Sequence, residues 1–261
     1  MRKKYALDFL LYSYFEITTA IEDEDEIIVA AIKRAYRDAT NRVVSFVSEM
    51  DSWKMKKNII SIMKEEIIKV LKDEKDYGKF HKDTCTMLIN NYNDIVDISS
   101  GTKFTYGIAQ KWINMTMKYL CVIYSILGKQ KNTEKYYKKV NKLEKKLDIP
   151  IDSYILESVS KVKKENEYRY GFSIEIPNKE KYGGMGNYNE EKSLPWSKWK
   201  SSNDYSEFQN NVKEKINELK NKLEDKNKFD SNIEWENLAW IEVARKRKKK
   251  EETAKNNKYC K

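Results

Sequence analysis

The sequence predicts a mostly α-helical, two-lobed fold, and three observations predict it. Only three prolines and eight glycines occur in 261 residues, so regular elements are seldom interrupted. Long windows carry apolar residues three and four positions apart, the spacing of one helix face. The helical period lapses clearly in one stretch, Glu167 to Ser193, where Tyr168, Tyr170 and Phe172 alternate with polar residues and Gly183-Gly184-Met185-Gly186 follows. That stretch is expected to hold a short hairpin or an ordered loop.

Taken in order, Tyr5 to Thr19 reads as a first, amphipathic helix; Asp8 interrupts its apolar run and no small-residue cleavage site follows, which argues against a signal sequence. The acidic run Glu22 to Glu26 suits the positive N-terminal end of a second helix. Ile28, Ala31, Ile32, Ala35, Tyr36, Ala39, Val43 and Phe46 give that helix a core stripe. Ser52 to Leu71 is a third helix, ended by the polar segment Lys72 to Gly78, and Thr84 to Ile98 is a fourth. Ser99-Ser100-Gly101-Thr102 is a stop signal with a glycine suited to a helix end.

Thr105-Tyr106-Gly107-Ile108-Ala109-Gln110-Lys111-Trp112 is expected to form a tight glycine turn opening a long helix. In that helix Ile108, Trp112, Met115, Tyr119, Val122 and Ile126 define one buried face, with Lys111, Asn114 and Lys118 to one side, facing solvent or a ligand. Gly128 to Asn132 closes it, Thr133 to Leu147 is a lysine-coated helix, and Pro150 resets the chain before Asp152 and a helix from Ser153 to Lys163. Leu194 to Trp199 leads to Asp204, a candidate cap for a helix ending near Leu223. Ile233 to Arg247, with Trp235, Leu238, Ala239, Trp240 and Val243, is the last helix, and the basic run from Arg245 to Lys250 is expected to fray. The resulting domains are 1–165, a helical core; 166–247, a loop-rich and helical lobe; and 248–261, a basic tail.

Composition narrows the chemistry. Lys and Arg number 51 against 41 Asp and Glu, a net charge of +10, which favours a polyanionic partner through counterion release. No apolar run approaches the roughly 18 residues of a membrane span, and no membrane partner is expected. The three cysteines, Cys85, Cys121 and Cys260, are isolated, which excludes a disulfide framework, a zinc ribbon and an iron–sulfur cluster and fits a reduced, cytoplasmic protein. His81 stands alone and reads as a surface residue. No phosphate-loop or metal motif is present, so neither a cofactor nor a metal is expected.

Two residues carry the candidate chemistry. A glycine turn before a helix N-terminus exposes backbone amides that can grip a phosphate, and a lysine in the first turn, here Lys111, is biased toward the neutral, nucleophilic amine. Asp152 at the start of a second helix is expected to accept amides, stay ionised, and activate that lysine or stabilise a cationic sugar. The plain readings are a solvated lysine and an ordinary helix cap.

The order Gly107-x-x-x-Lys111, an apolar helix, then Ile149-Pro150-Ile151-Asp152-Ser153-Tyr154 resembles the helix-hairpin-helix DNA glycosylase superfamily, with its hairpin lysine and its Val-Pro-Val-Asp segment. Ala109 stands in place of the second hairpin glycine and Tyr154 in place of the usual histidine; such departures look most like the archaeal-type 8-oxoguanine DNA glycosylases. The resemblance implies a two-lobed helical fold with a helix-hairpin-helix element that grips double-stranded DNA and flips a base into a pocket. Lys111 would be the nucleophile, with abasic-site lyase activity, and Asp152 the activating carboxylate. Gly107, Ile108, Ala109, Lys103 and Lys118 would contact DNA, and the protein would act as a monomer. Trp112, Trp196, Trp199, Trp235 and Trp240 are the candidates for lining the base pocket, although Trp112 fits a core role better. Glu234, Glu236 and Asn237 read as a solvated helix face. The alternative is a non-catalytic basic helical protein that binds nucleic acid or a protein partner.

Overall fold

The computed structural model describes residues 2–41, 43–46, 48–96, 103–129, 133–159, 168–176, 179–180, 192–193, 195–224 and 228–259. The chain is mostly α-helical and divides into two compact units, Met1–Pro150 and Ile151–Lys261. The division falls at Pro150, earlier than the expected boundary near 165.

The first unit contains α1 (Lys3–Phe15), α2 (Glu24–Thr40), α3 (Glu49–Leu71), α4 (Tyr77–Asn93), α5 (Tyr106–Leu127) and α6 (Glu134–Glu144). Its centre is α5, against which α2, α4 and α6 pack. The alanines Ala31, Ala35 and Ala39 on α2 are fully buried and let its backbone come close. The Trp112 indole N–H on α5 therefore reaches the Ile32 carbonyl, 3.1 Å away. A helix contacted on several sides must be apolar nearly all round. That is why α5 buries far more than its single predicted stripe, including Gln110, Lys111, Asn114 and Lys118.

Local sequence explains most helix starts. The Asp23 carboxylate accepts the Asp25 amide and begins α2, with Glu24, Asp25 and Glu26 in its first turn as expected. Glu24, however, turns inward and is only 8% exposed. One of its oxygens accepts the Lys135 amide at 2.9 Å, and the other accepts the Tyr136 amide at 3.0 Å and the Tyr124 hydroxyl at 2.6 Å. One carboxylate thus caps α6 and ties it to α2 and α5. The fourth helix starts at Tyr77 rather than near Thr84, because Asp76 accepts the Lys79 amide as its cap. Gly128, at φ 67°, closes α5 in the left-handed region open to glycine. On α1, Leu11 and Phe15 face inward, while Tyr5, Phe9, Leu10 and Tyr12 stay exposed, so apolar residues lie on its outer face as well.

The second unit holds α7 (Ser153–Ser158), the antiparallel pair β1 (Lys179–Glu180) and β2 (Lys192–Ser193), a short 3-10 turn at Trp196–Lys198, α8 (Ser202–Lys222) and α9 (Asn232–Tyr259). The pair β1 and β2 matches the expected hairpin. Gly183, Gly184, Met185 and Gly186 within it lie outside the described residues, as do the stop signal from Ser99 to Thr102 and Cys260. Ser201, not Asp204, caps α8: its hydroxyl accepts the Asn203 and Asp204 amides, which places Asp204 in the first turn. The basic run from Arg245 to Lys250 continues α9, and helix extends to Tyr259 where a flexible tail was expected.

Gly171 sets a tight turn in this unit. A Cβ there would lie 2.7 Å from the Ser158 carbonyl oxygen and 2.8 Å from the Tyr168 Cβ. The same Ser158 carbonyl accepts the Phe172 amide at 3.2 Å, so it cannot yield without breaking that pairing. Gly171→Ala is expected to destabilise the protein by about 1–3 kcal/mol, read from the urea midpoint at unchanged slope. Among the described residues no helix is long and apolar enough to cross a membrane.

Candidate functional site

The two candidate residues fall in different units, Lys111 in the first and Asp152 in the second. Thr105 caps α5, its hydroxyl accepting the Ile108 amide at 3.3 Å while its carbonyl accepts the Ala109 amide at 3.0 Å. Gly107 therefore lies inside the helix rather than in a hairpin turn, and its neighbours Ile108 and Ala109 spend their amides on the cap. All three residues are buried. Of the other candidate DNA contacts, Lys103 is exposed and Lys118 is buried. Lys111 is 9% exposed, so this lysine of the early turns of α5 is a buried side chain rather than a solvated one.

A polar network surrounds this part of α5. Asn114 donates to the Gln110 side-chain oxygen at 3.1 Å and to the Ile149 carbonyl at 3.0 Å, and accepts the Tyr77 hydroxyl at 3.3 Å. Burial pushes the Tyr77 hydroxyl well above the ordinary tyrosine range, helped by the Asp148 charge. His81, expected at the surface, is buried beside Cys85, whose sulfur lies 3.9 Å from its Nδ1. Cys85 and Cys121 are free, buried thiols, and desolvation raises both above the ordinary thiol range. Buried amides and hydroxyls satisfied in this way hold α4, α5 and the segment before Pro150 in one register.

Around Asp152 the second unit builds a partly exposed aromatic cluster. One carboxylate oxygen accepts the Tyr154 and Ile155 amides at 2.9 and 3.1 Å, the expected helix cap. The other accepts the Trp240 indole N–H at 3.2 Å. Trp240 stacks on Tyr154, with ring centroids 4.7 Å apart at 29°. The Arg247 guanidinium lies 4.1 Å from the Tyr154 ring centroid, pairs with Glu157 at 2.7 Å and donates to the Ser153 carbonyl at 3.1 Å. Asp152, Tyr154, Trp240 and Arg247 are all neither buried nor fully exposed.

The remaining tryptophans divide by burial. Trp112 is enclosed, edge-on to Tyr36 at 4.9 Å, which is the core role. Trp199 is buried edge-on against Phe208. Trp235 is buried too, stacked on Phe172 and donating to the Tyr170 carbonyl at 2.9 Å. Of the five pocket candidates, Trp196 and Trp240 retain surface a ligand could cover. Of the three residues read as a solvated face, Glu234 is exposed, Asn237 half-buried and Glu236 buried. Sequence reading missed Arg247 and Glu157 as companions of Asp152; the available signal was an arginine in the basic run two helical turns beyond Trp240. Among the described residues no group of three or more His, Cys, Asp and Glu side chains is arranged to hold a metal ion. Comparison with protein-family models, curated proteins and solved structures returns no match.

Proposed function

We propose that this protein is a DNA glycosylase in which Asp152 is the activating carboxylate and Lys111 the amine nucleophile. The observation that carries this reading is the Asp152 cluster: a carboxylate fixed by two amides and an indole N–H, open to solvent on one side, beside a stacked Tyr154–Trp240 pair and the Arg247 guanidinium. A preorganised negative charge of that kind stabilises the oxocarbenium character that builds on a deoxyribose as its bond to the base breaks. Guanidinium and aromatic faces beside it suit a phosphate and an unstacked base.

In the reaction the Lys111 amine forms a bond to the sugar C1′ as the C1′–N bond to the base breaks. The base leaves with that electron pair and takes up a proton. The sugar then opens to a protonated Schiff base on Lys111, from which the abasic strand can be cleaved. The reading requires that Lys111, buried at rest, becomes accessible to the sugar. The order Gly107, Lys111, Asp152 supports it from the sequence.

Incubation with duplexes carrying oxidised purines, or modified pyrimidines, tests the proposal: release of one free base is expected, and release of none from the whole series would remove it. A second reading, non-catalytic nucleic-acid binding, is favoured by α9. That helix carries six consecutive basic residues from Arg245 to Lys250, of which Arg245, Lys248, Lys249 and Lys250 are exposed. It predicts salt-sensitive DNA binding with no base release.

A further inference from the structure

The C-terminal end of α2, Phe46 and the N-terminal end of α3 form an open cavity that neither Lys111 nor Asp152 lines. It measures about 360 Å³ and is bounded by Tyr36, Phe46, Glu49, Ser52, Trp53 and Lys56. That volume lies within the roughly 300–1,000 Å³ typical of small-molecule sites. Its α3 side is set by helical spacing, because Glu49, Ser52, Trp53 and Lys56 stand at i, i+3, i+4 and i+7 and so share one face.

Three aromatic rings, one cation and one carboxylate define its chemistry. Tyr36 is buried, and the Lys56 amine lies 4.7 Å from its ring centroid. Trp53 is 60% exposed, whereas Ile59, Ile60, Met63, Ile67, Val70 and Leu71 farther along the same helix are buried. Burial holds the Lys56 amine below the ordinary lysine range, and the positive charges of Arg37 and Lys33 lower it further, with the Glu16 carboxylate offsetting them in part. A half-buried lysine crowded by two cations gains most from an anion. Arg37 already has Glu16 as its partner, which leaves Glu49 as the carboxylate on the cavity wall. That balance of charge works against an ammonium ligand in the aromatic cage and in favour of an aromatic ligand carrying negative charge.

We propose that this cavity binds a nucleobase bearing a phosphate, the base against Trp53 and Phe46 and the phosphate on Lys56. Two sources have that chemistry, a free mononucleotide and an unpaired nucleotide of a single strand. The site stands independently of the glycosylase reading, although its Tyr36 wall also touches Trp112 of α5 at 4.9 Å.

Calorimetric titration of the full chain at low salt, with 5′-mononucleotides, a short single-stranded oligonucleotide and inorganic phosphate in parallel, tests the proposal. At least one base-bearing ligand is expected to bind roughly tenfold or more tighter than phosphate. Trp53→Ala is expected to weaken that ligand by about tenfold or more and to leave phosphate unaffected. Lys56→Gln is expected to weaken both and to reduce the salt dependence by about one phosphate contact. Both side chains are at least partly exposed, and thermal melts matching the parent protein confirm that the variants are folded. Binding of mononucleotides assigns the site to a free nucleotide, and binding of the oligonucleotide alone assigns it to a strand. Base-bearing ligands that bind no tighter than phosphate, or that are indifferent to Trp53→Ala in a folded variant, overturn the proposal. None of these ligands carries a modified base, so the outcome is separate from that of the excision assay.

Discussion

The Asp152→Asn protein is expected to fold, to bind DNA with nearly unchanged affinity, and to lose base excision by roughly 100- to 10,000-fold. The expectation separates two roles of one side chain. Asparagine caps helices about as well as aspartate, so the bonds from the Tyr154 and Ile155 amides survive the change. What disappears is the negative charge that the excision step needs. If the side-chain nitrogen faces the Trp240 indole N–H, two donors meet where an acceptor was, at a cost of about 1 kcal/mol. Asp152→Ala removes the cap acceptor as well and should cost about 0.5–2 kcal/mol in stability. Single-turnover excision and urea unfolding on both variants check the pair of expectations. A capping role alone predicts normal excision by Asp152→Asn and a loss in Asp152→Ala that follows its stability.

Glu24→Ala is expected to lower stability by about 3 kcal/mol. The carboxylate is buried and accepts from three donors on two other helices, the Tyr124 hydroxyl and the Lys135 and Tyr136 amides. Deleting it strands these donors away from water, and each buried unsatisfied group costs about 1–3 kcal/mol, partly relieved by relaxation. Glu24→Gln keeps one acceptor oxygen and should lose less. Urea denaturation followed by far-ultraviolet circular dichroism measures both. A loss no larger than that of an exposed first-turn glutamate would show that the contact between α2 and α6 contributes little.

Much of the fold was legible because it is local. The acidic first turn of α2, its alanine stripe and the start of α5 at Thr105 follow from neighbouring residues, and the structure has them where the spacing indicates. Glu24 was legible as a first-turn acid but not as an internal brace, because its partners lie about a hundred positions away in sequence. The start of α4 was missed because Asp76 sits in a segment rich in polar and charged residues that reads as a connector, although its side chain caps the helix.

The candidate site shows the same division. Pro150 followed by Asp152 foretold a capped helix, and the cap is present. The Trp240 and Arg247 contacts depend on how α9 lies against α7, which helical periodicity does not encode. Lys111 and Lys118 looked solvent-facing because a periodic stripe reports one buried face only. The burial of α5 against several helices removes the other side from water as well. A buried lysine is the residue on which the proposed chemistry depends most, since the expected hairpin turn around Gly107 is helix instead.

Borohydride trapping during turnover tests the Lys111–Asp152 assignment most directly. With a duplex from which the protein releases a base, the account predicts a covalent protein–DNA adduct in the presence of borohydride, mapped by peptide mass to Lys111. The adduct should be absent in Lys111→Gln and strongly reduced in Asp152→Asn. Base release with no trapped adduct, or an adduct that persists unchanged in Lys111→Gln, would contradict it.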